Sequence, residues 1–310
     1  MTMLWLAWFL PFLSGVCDAV SRSVIKATKI HKFTLLSAGF IFSLPFYLVW
    51  LYFEGIPTIQ PMFWVAVVIH VFLMILAASL TVDAHRESAL IATMPYLSFT
   101  PAFLLITSPL MNAGNPGLIG IVGVLILTCG FYILNTKSHK NLKLLDPFKI
   151  FKRESGSWKM FLVSIIFAFT ANLDFIAFRN ANAPFYLLVD SGLCGIIFCL
   201  LAVIYKLKGR TGDTPVSPLG SIKILNLFGA LIAMSIMSYM LAFRWIKVVP
   251  YLIATKRAGA IVLTISFGLI MAFIVKHKEF TDEKNNLQYR IPGAMLMLIG
   301  MLIIILWGKT

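Results

Sequence analysis

Lys256 and Arg257 are adjacent cations inside a long apolar stretch, and no other residues in this sequence are better placed to do chemistry. An ionisable side chain at membrane depth is costly and points to a functional site by default. Two neighbouring cations repel each other unless an acid or an anion compensates them. Arginine offers a planar fork of donors that matches carboxylate or phosphate, and lysine supplies a mobile point charge. An anionic substrate accounts for both. Pairing with protein acids, or snorkelling to an interface, are the competing explanations. Asp18 and Arg22 are four residues apart, so on a helix they share a face and can pair. Asp174 and Arg179 are five apart, a poorer fit, and Asp190 is the most isolated acid. Asp174 or Asp190 could neutralise the basic pair in the unloaded protein or carry a coupling proton; ion pairing between helices is the structural alternative. His70 could carry a proton or could be a hydrogen-bonded core histidine. Asn172 (beside Asp174), Tyr186, Tyr96 and Tyr251 complete the candidate substrate-binding set with Lys256, Arg257, Asp174 and Asp190. Asp18, Arg22, His70 and Arg179 are the coupling or gating candidates.

The elements that must position these residues follow from composition. Of the 310 residues 60% are hydrophobic and 12% charged, against about 45–50% and about 25% in soluble proteins. That excludes a soluble globular enzyme, a disordered chain and a free-standing nucleic-acid-binding domain. The net charge of +14 lies in short runs between apolar segments, as in a multi-spanning membrane protein. Apolar stretches suited to a membrane crossing of roughly 20 residues fall at 4–21, 33–53, 62–82, 88–107, 116–135, 160–178, 183–205, 219–243, 249–273 and 291–307. The segments are too long and too continuously apolar for barrel strands. The expectation is an all-α polytopic membrane protein with ten transmembrane helices, divided into 1–140, a basic linker 141–159, and 160–310. The N-terminus lacks a basic n-region and a cleavage site, so it reads as the first span. Cys17, Cys129, Cys194 and Cys199 sit in apolar segments without metal-ligand spacing and read as small buried hydrophobes.

Charge sets the expected orientation. With ten spans, twenty Lys and Arg fall on one side and four on the side holding both termini. The positive-inside rule puts the basic side in the cytoplasm and both termini outside. The membrane expected is a bacterial or archaeal cytoplasmic membrane. The basic runs also favour anionic lipid headgroups, and no nucleic acid is implied.

Weak internal similarity supports a repeat. Met94-Pro95-Tyr96-Leu97 is matched by Val249-Pro250-Tyr251-Leu252, Gly123 and Gly130 by Gly293 and Gly300, and Asp18 with Arg22 by Asp174 with Arg179. Five spans per half would invert one half relative to the other, the plan of many secondary transporters.

The sequence resembles the drug/metabolite transporter superfamily, in its EamA-type branch. The specific stretch is Pro250-Tyr251-Leu252-Ile253-Ala254-Thr255-Lys256-Arg257, running on to Gly268 and Lys276-His277-Lys278-Glu279, where Glu279 looks like the acid near the end of that helix in such proteins. The resemblance implies ten helices in two five-helix repeats. In the plastid phosphate-translocator branch an adjacent Lys-Arg pair looks like the phosphate-holding element, which carries over to Lys256 and Arg257 only. The first repeat departs from the pattern: its matching turn, Ser108-Pro109-Leu110, has no Glu. Many members are placed with both termini in the cytoplasm, the reverse of the charge-based orientation here.

No phosphate-binding glycine loop, HExxH or nucleophile elbow is present, so the expectation is a non-enzyme without cofactor or metal, driven by a gradient or by exchange. The function expected is secondary transport of a small anionic or zwitterionic, in some cases phosphorylated, metabolite by alternating access. A flippase for a lipid-linked phosphate, an amino-acid or drug exporter, and a non-transport membrane protein stay open, as do proton or exchange coupling and a homodimer.

Overall fold

Prolines and glycines divide the apolar sequence into helices, and the computed structural model describes residues 2–88, 93–134, 155–208, 218–260 and 287–308. Helix α1 is Thr2–Ala27. Helices α2 (Lys32–Ile41) and α3 (Leu44–Glu54) continue one another across a turn in which the Ser43 hydroxyl donates to the Phe40 carbonyl at 2.7 Å. Gly55 ends α3 at φ +78°, a conformation that costs glycine little. Helix α4 (Pro61–Glu87) starts on Pro61, whose missing N–H is tolerated in a first turn. A short 3₁₀ turn, Met94–Ser98, leads into α5 (Phe99–Leu110), followed by α6 (Leu118–Leu134). Then come α7 (Ser155–Asn180), α8 (Ala183–Leu207) and α9 (Pro218–Ala242), the helical stretch α10 (249–260), and α11 (Leu287–Trp307).

The fold is an all-α bundle of a multi-pass membrane protein, but the expectation of ten transmembrane helices as two inverted five-helix repeats is overturned. Among the described residues five helices are long and apolar enough to cross a membrane: Lys32–Glu54, Pro61–Glu87, Gly156–Asn180, Ala183–Leu207 and Ile222–Ala242. Three more apolar helices, Tyr96–Leu110, Leu118–Gly130 and Pro292–Trp307, have only 10–17 residues. At 1.5 Å rise per residue a stretch of that length falls short of a roughly 30 Å hydrocarbon core, although α11 as a whole, Leu287–Trp307, has 21 residues. Adding up apolar residues across Pro95 had merged the 3₁₀ turn and α5 into one span. Residues 261–273 of the ninth expected span, and Glu279, lie outside the described residues. So does the linker from 141 to 154, whereas 155–159 are already helical in α7.

Large apolar side chains such as Tyr52, Phe53, Phe72 and Leu110 are exposed on the bundle's surface, the arrangement expected where lipid replaces water. Cys17 and Cys194 are buried as expected, but Cys129 and Cys199 are exposed and all four are free thiols.

Between helices in lipid, close backbone approach through small residues replaces the hydrophobic drive. The glycine pairs read above as marks of a repeat face each other across the α6–α11 contact. A Cβ on Gly130 would lie 2.7 Å from the Gly293 carbonyl oxygen, and one on Gly300 would lie 2.6 Å from that of Gly123. Gly130→Leu should therefore separate the two helices and lower stability by about 1–3 kcal/mol. Thermal unfolding in detergent tests this, and an unchanged midpoint would remove the contact from the stability account.

Candidate functional site

Helical periodicity turns charged residues of five helices onto one central cavity of about 180 Å³. From α7 it receives Phe167, Thr170, Ala171 and Asp174; from α4, His70, Met74, Ala78 and Val82; from α1, Asp18, Arg22 and Ile25. These spacings of three and four keep one helix face toward the cavity. Helix α8 contributes Tyr186 and Asp190, α9 contributes Tyr239, and α10 contributes Lys256 and Arg257.

Local sequence chemistry sets these positions. The Asn182 side chain caps α8 by accepting from the Phe185 N–H at 3.1 Å, and its amide donates to the Gly55 carbonyl at 2.9 Å. This fixes the start of α8 one turn before Tyr186 and two before Asp190. Ser235 donates to the Ser14 carbonyl at 3.0 Å, and the Ser14 hydroxyl reaches Ser235 Oγ at 3.1 Å, which ties α1 to α9 one turn before Tyr239. Helix α1 meets α10 backbone to backbone. A Cβ on Gly15 would lie 1.9 Å from the Lys256 carbonyl oxygen, and one on Gly259 would lie 2.2 Å from that of Phe12. Without side chains at these two positions Asp18 comes within reach of Arg257.

The site has two charge clusters. In the first, Asp18 Oδ2 accepts from Arg22 at 3.0 Å and from Arg257 at 3.3 Å. Arg22 also donates to Nε2 of His85 at 2.9 Å. Because arginine can only donate, that nitrogen accepts, and the Nδ1–H of His85 donates to Thr93 at 3.0 Å. His85 is thus held as the neutral tautomer. Lys256 has no carboxylate within 4 Å among the described residues, and its ammonium lies 5.0 Å from the centre of the Tyr239 ring. In the second cluster His70 stands between two acids: Nδ1 is 2.7 Å from Asp190 Oδ1, and Nε2 is 3.1 Å from Asp174 Oδ1. The Tyr186 hydroxyl donates to the same Asp174 oxygen at 2.6 Å.

Three buried polar atoms of the cavity residues lack a hydrogen-bond partner among the described residues: Arg22 Nε, Arg257 Nε and Thr100 Oγ1. Unpaired buried polar groups are costly and rare, and a polar ligand or water in the cavity would meet this need. Among the described residues no group of three or more His, Cys, Asp or Glu is arranged to hold a metal ion.

The structure brings together Lys256, Arg257, Asp18, Arg22, His70, Asp174, Asp190 and Tyr186. It places the other four candidates elsewhere. Asn172, two residues before Asp174, lies about 200° away around the helix; it accepts from Ser108 at 2.7 Å and donates to Thr107 at 3.0 Å, tying α7 to α5. Arg179 is exposed and lies 5.6 Å from the centre of the Phe175 ring, so Asp174 pairs with His70 and Tyr186 instead. Tyr96 is buried in a separate apolar cluster with Ala84 and Met160. Tyr251 accepts from the Gly117 N–H at 2.9 Å at the start of α6. Sequence reasoning missed Tyr239, His85 and Thr100. A tyrosine inside an apolar span was the available signal for the first.

No family model matches the chain, and no curated protein matches it. Among solved structures 25 chains match. One, described only as a crystal structure of a protein, superposes with a TM-score of 0.64 at 12% identity, covering 98% of this chain and 96% of its own. At that identity the likeness shows a shared fold and nothing about activity.

Proposed function

We propose that this protein is a secondary transporter that binds a small anionic or zwitterionic metabolite in the central cavity and exposes it to each side of the membrane in turn. Lys256 carries this reading: it is a cavity-lining ammonium without a carboxylate partner among the described residues, beside two arginines that share a single acid. Three cations facing one carboxylate leave an excess of positive charge where an anion would sit. Arg257 and Arg22 supply forked donors for it, and Lys256 supplies the unpaired charge. The lining is otherwise largely apolar and suits a compact organic body.

Alternating access fits the placement of the cavity along the helices. Its α4 lining runs from His70 to Val82 and its α1 lining from Asp18 to Ile25, both toward the end rich in Lys and Arg. Toward the other end, Phe175, Phe178 and Tyr239 pack on Phe243, and Arg244 pairs with Glu54. Opening would require these layers to part. The proposed orientation puts the basic end in the cytoplasm. Kinship with EamA-type drug/metabolite transporters is proposed on the stretch Pro250–Arg257.

Purified protein should be stabilised by at least one small anion among phosphate, sugar phosphates and carboxylates. At 100 times Kd the gain is about 2.7 kcal/mol. Lys256→Ala should abolish the stabilisation, and the same anion should cross the membrane of proteoliposomes containing wild-type protein. Stabilisation that persists in the mutant would remove Lys256 from the site, and binding without flux would remove transport.

A further inference from the structure

The cavity has two poles of opposite sign, and their charges can be counted from geometry. At one pole Arg22, Lys256 and Arg257 face Asp18, for a net charge of +2. At the other, both ring nitrogens of His70 face carboxylate oxygens, at 2.7 and 3.1 Å. A neutral imidazole has one N–H and could satisfy only one of them; its other lone pair would confront an oxygen lone pair. One extra proton therefore resides on His70, Asp174 or Asp190, wherever in the trio it sits, and the pole carries a net charge of −1. Tyr239 stands between the poles: the Lys256 ammonium lies over its ring, and its hydroxyl faces Asp174.

We infer that the ligand of this cavity is a zwitterion, with its anionic group held by Lys256, Arg257 and Arg22 and its ammonium group at Asp174 and Asp190. This rests on the proposed binding role of the cavity and specifies its substrate class. A plain anion would satisfy the first pole and leave the acidic pole unanswered. A cavity of about 180 Å³, close to the roughly 150 Å³ that accommodates benzene, limits the body joining the two charges to a few carbons.

The test uses the full-length protein in detergent and two matched sets of probes: leucine, 4-methylpentanoate and 3-methylbutylamine; then phosphoethanolamine, ethyl phosphate and ethylamine. In at least one set the zwitterion should bind about tenfold or more tighter than both partners, roughly 1.4 kcal/mol. Asp190→Asn should bring the zwitterion-to-anion ratio close to one. Asp174→Asn serves the same purpose where Asp190→Asn does not yield monodisperse protein. A short-chain phosphatidylethanolamine that binds where phosphoethanolamine does not would assign the same chemistry to a lipid headgroup. An anion that binds as tightly as its zwitterion would overturn the assignment and leave the anion site standing. Silence from all seven probes would overturn both. An unchanged ratio in the Asn variants would place the ammonium elsewhere and overturn the role of this pole.

Discussion

Replacing Gly15 with valine should be among the most damaging single changes in the chain. A Cβ there would lie 1.9 Å from the Lys256 carbonyl oxygen and 2.8 Å from the Ala260 nitrogen, both backbone atoms. Backbone cannot rotate aside as a side chain can, so α1 and α10 must separate. Overpacking typically costs about 1–3 kcal/mol, and a clash with backbone belongs at the upper end. The displacement also reaches the cavity, because Asp18 is three residues along the same helix and Lys256 itself forms the opposing wall. We expect the thermal midpoint to fall by several degrees and anion binding to weaken together. Gly192→Ala is the control: no atom lies within 4 Å of its added Cβ, and alanine gains up to about 1 kcal/mol over glycine inside a helix. Equal behaviour of the two variants would show that the α1–α10 approach is looser than described.

Removing the carboxylate of Asp18 should be nearly as severe for a different reason. Asp18→Ala leaves Arg22 and Arg257, with side-chain exposures of 5% and 7%, beside Lys256 without the acid they share. Breaking a buried ion pair by deleting one partner costs about 3–5 kcal/mol. Asp18 borders the cavity, where water can partly replace it, so a value near 3 kcal/mol is expected. Asp18→Ala combined with Arg257→Ala should recover part of the loss, since the second change removes one stranded charge; a double-mutant cycle measures this directly. Additive effects would mean that the two residues do not interact. A saturating anion should also rescue Asp18→Ala more than wild type, because it restores the missing negative charge to the same three cations.

Which of the candidate residues meet was only partly legible from the sequence. Charged residues inside apolar stretches singled out Asp18, Arg22, Asp174, Asp190, Lys256 and Arg257, and all six line the cavity. Their partners were hidden. His70 meets an acid 120 residues away, and Arg257 one 239 residues away. Sequence spacing offered Arg179 to Asp174 as a neighbour, but a separation of five turns the two side chains apart. Asn172 faces α5 rather than the cavity for the same reason, and Tyr96 and Tyr251, matched by sequence, are buried against different helices. The glycine pairs, read as marks of a repeat, are the contact between α6 and α11. The count of ten spans failed because hydropathy registers apolar content, whereas crossing a membrane also demands uninterrupted helical length.

The sequence by itself determined the solvent and the secondary structure. With 60% hydrophobic residues and charge confined to short runs, backbone polar groups in lipid can be satisfied only within helices or closed barrels, and long unalternating apolar segments select helices. It also determined which residues are too costly to bury without purpose. Tertiary structure alone decided the rest. Helix rotation chose which of those residues share the cavity, and two glycines let α1 approach α10 closely enough for Asp18 to reach Arg257. The packing of α4, α7 and α8 placed His70 between two acids. Such outcomes depend on contacts between residues far apart in the chain, and no local pattern of charge or hydropathy encodes them.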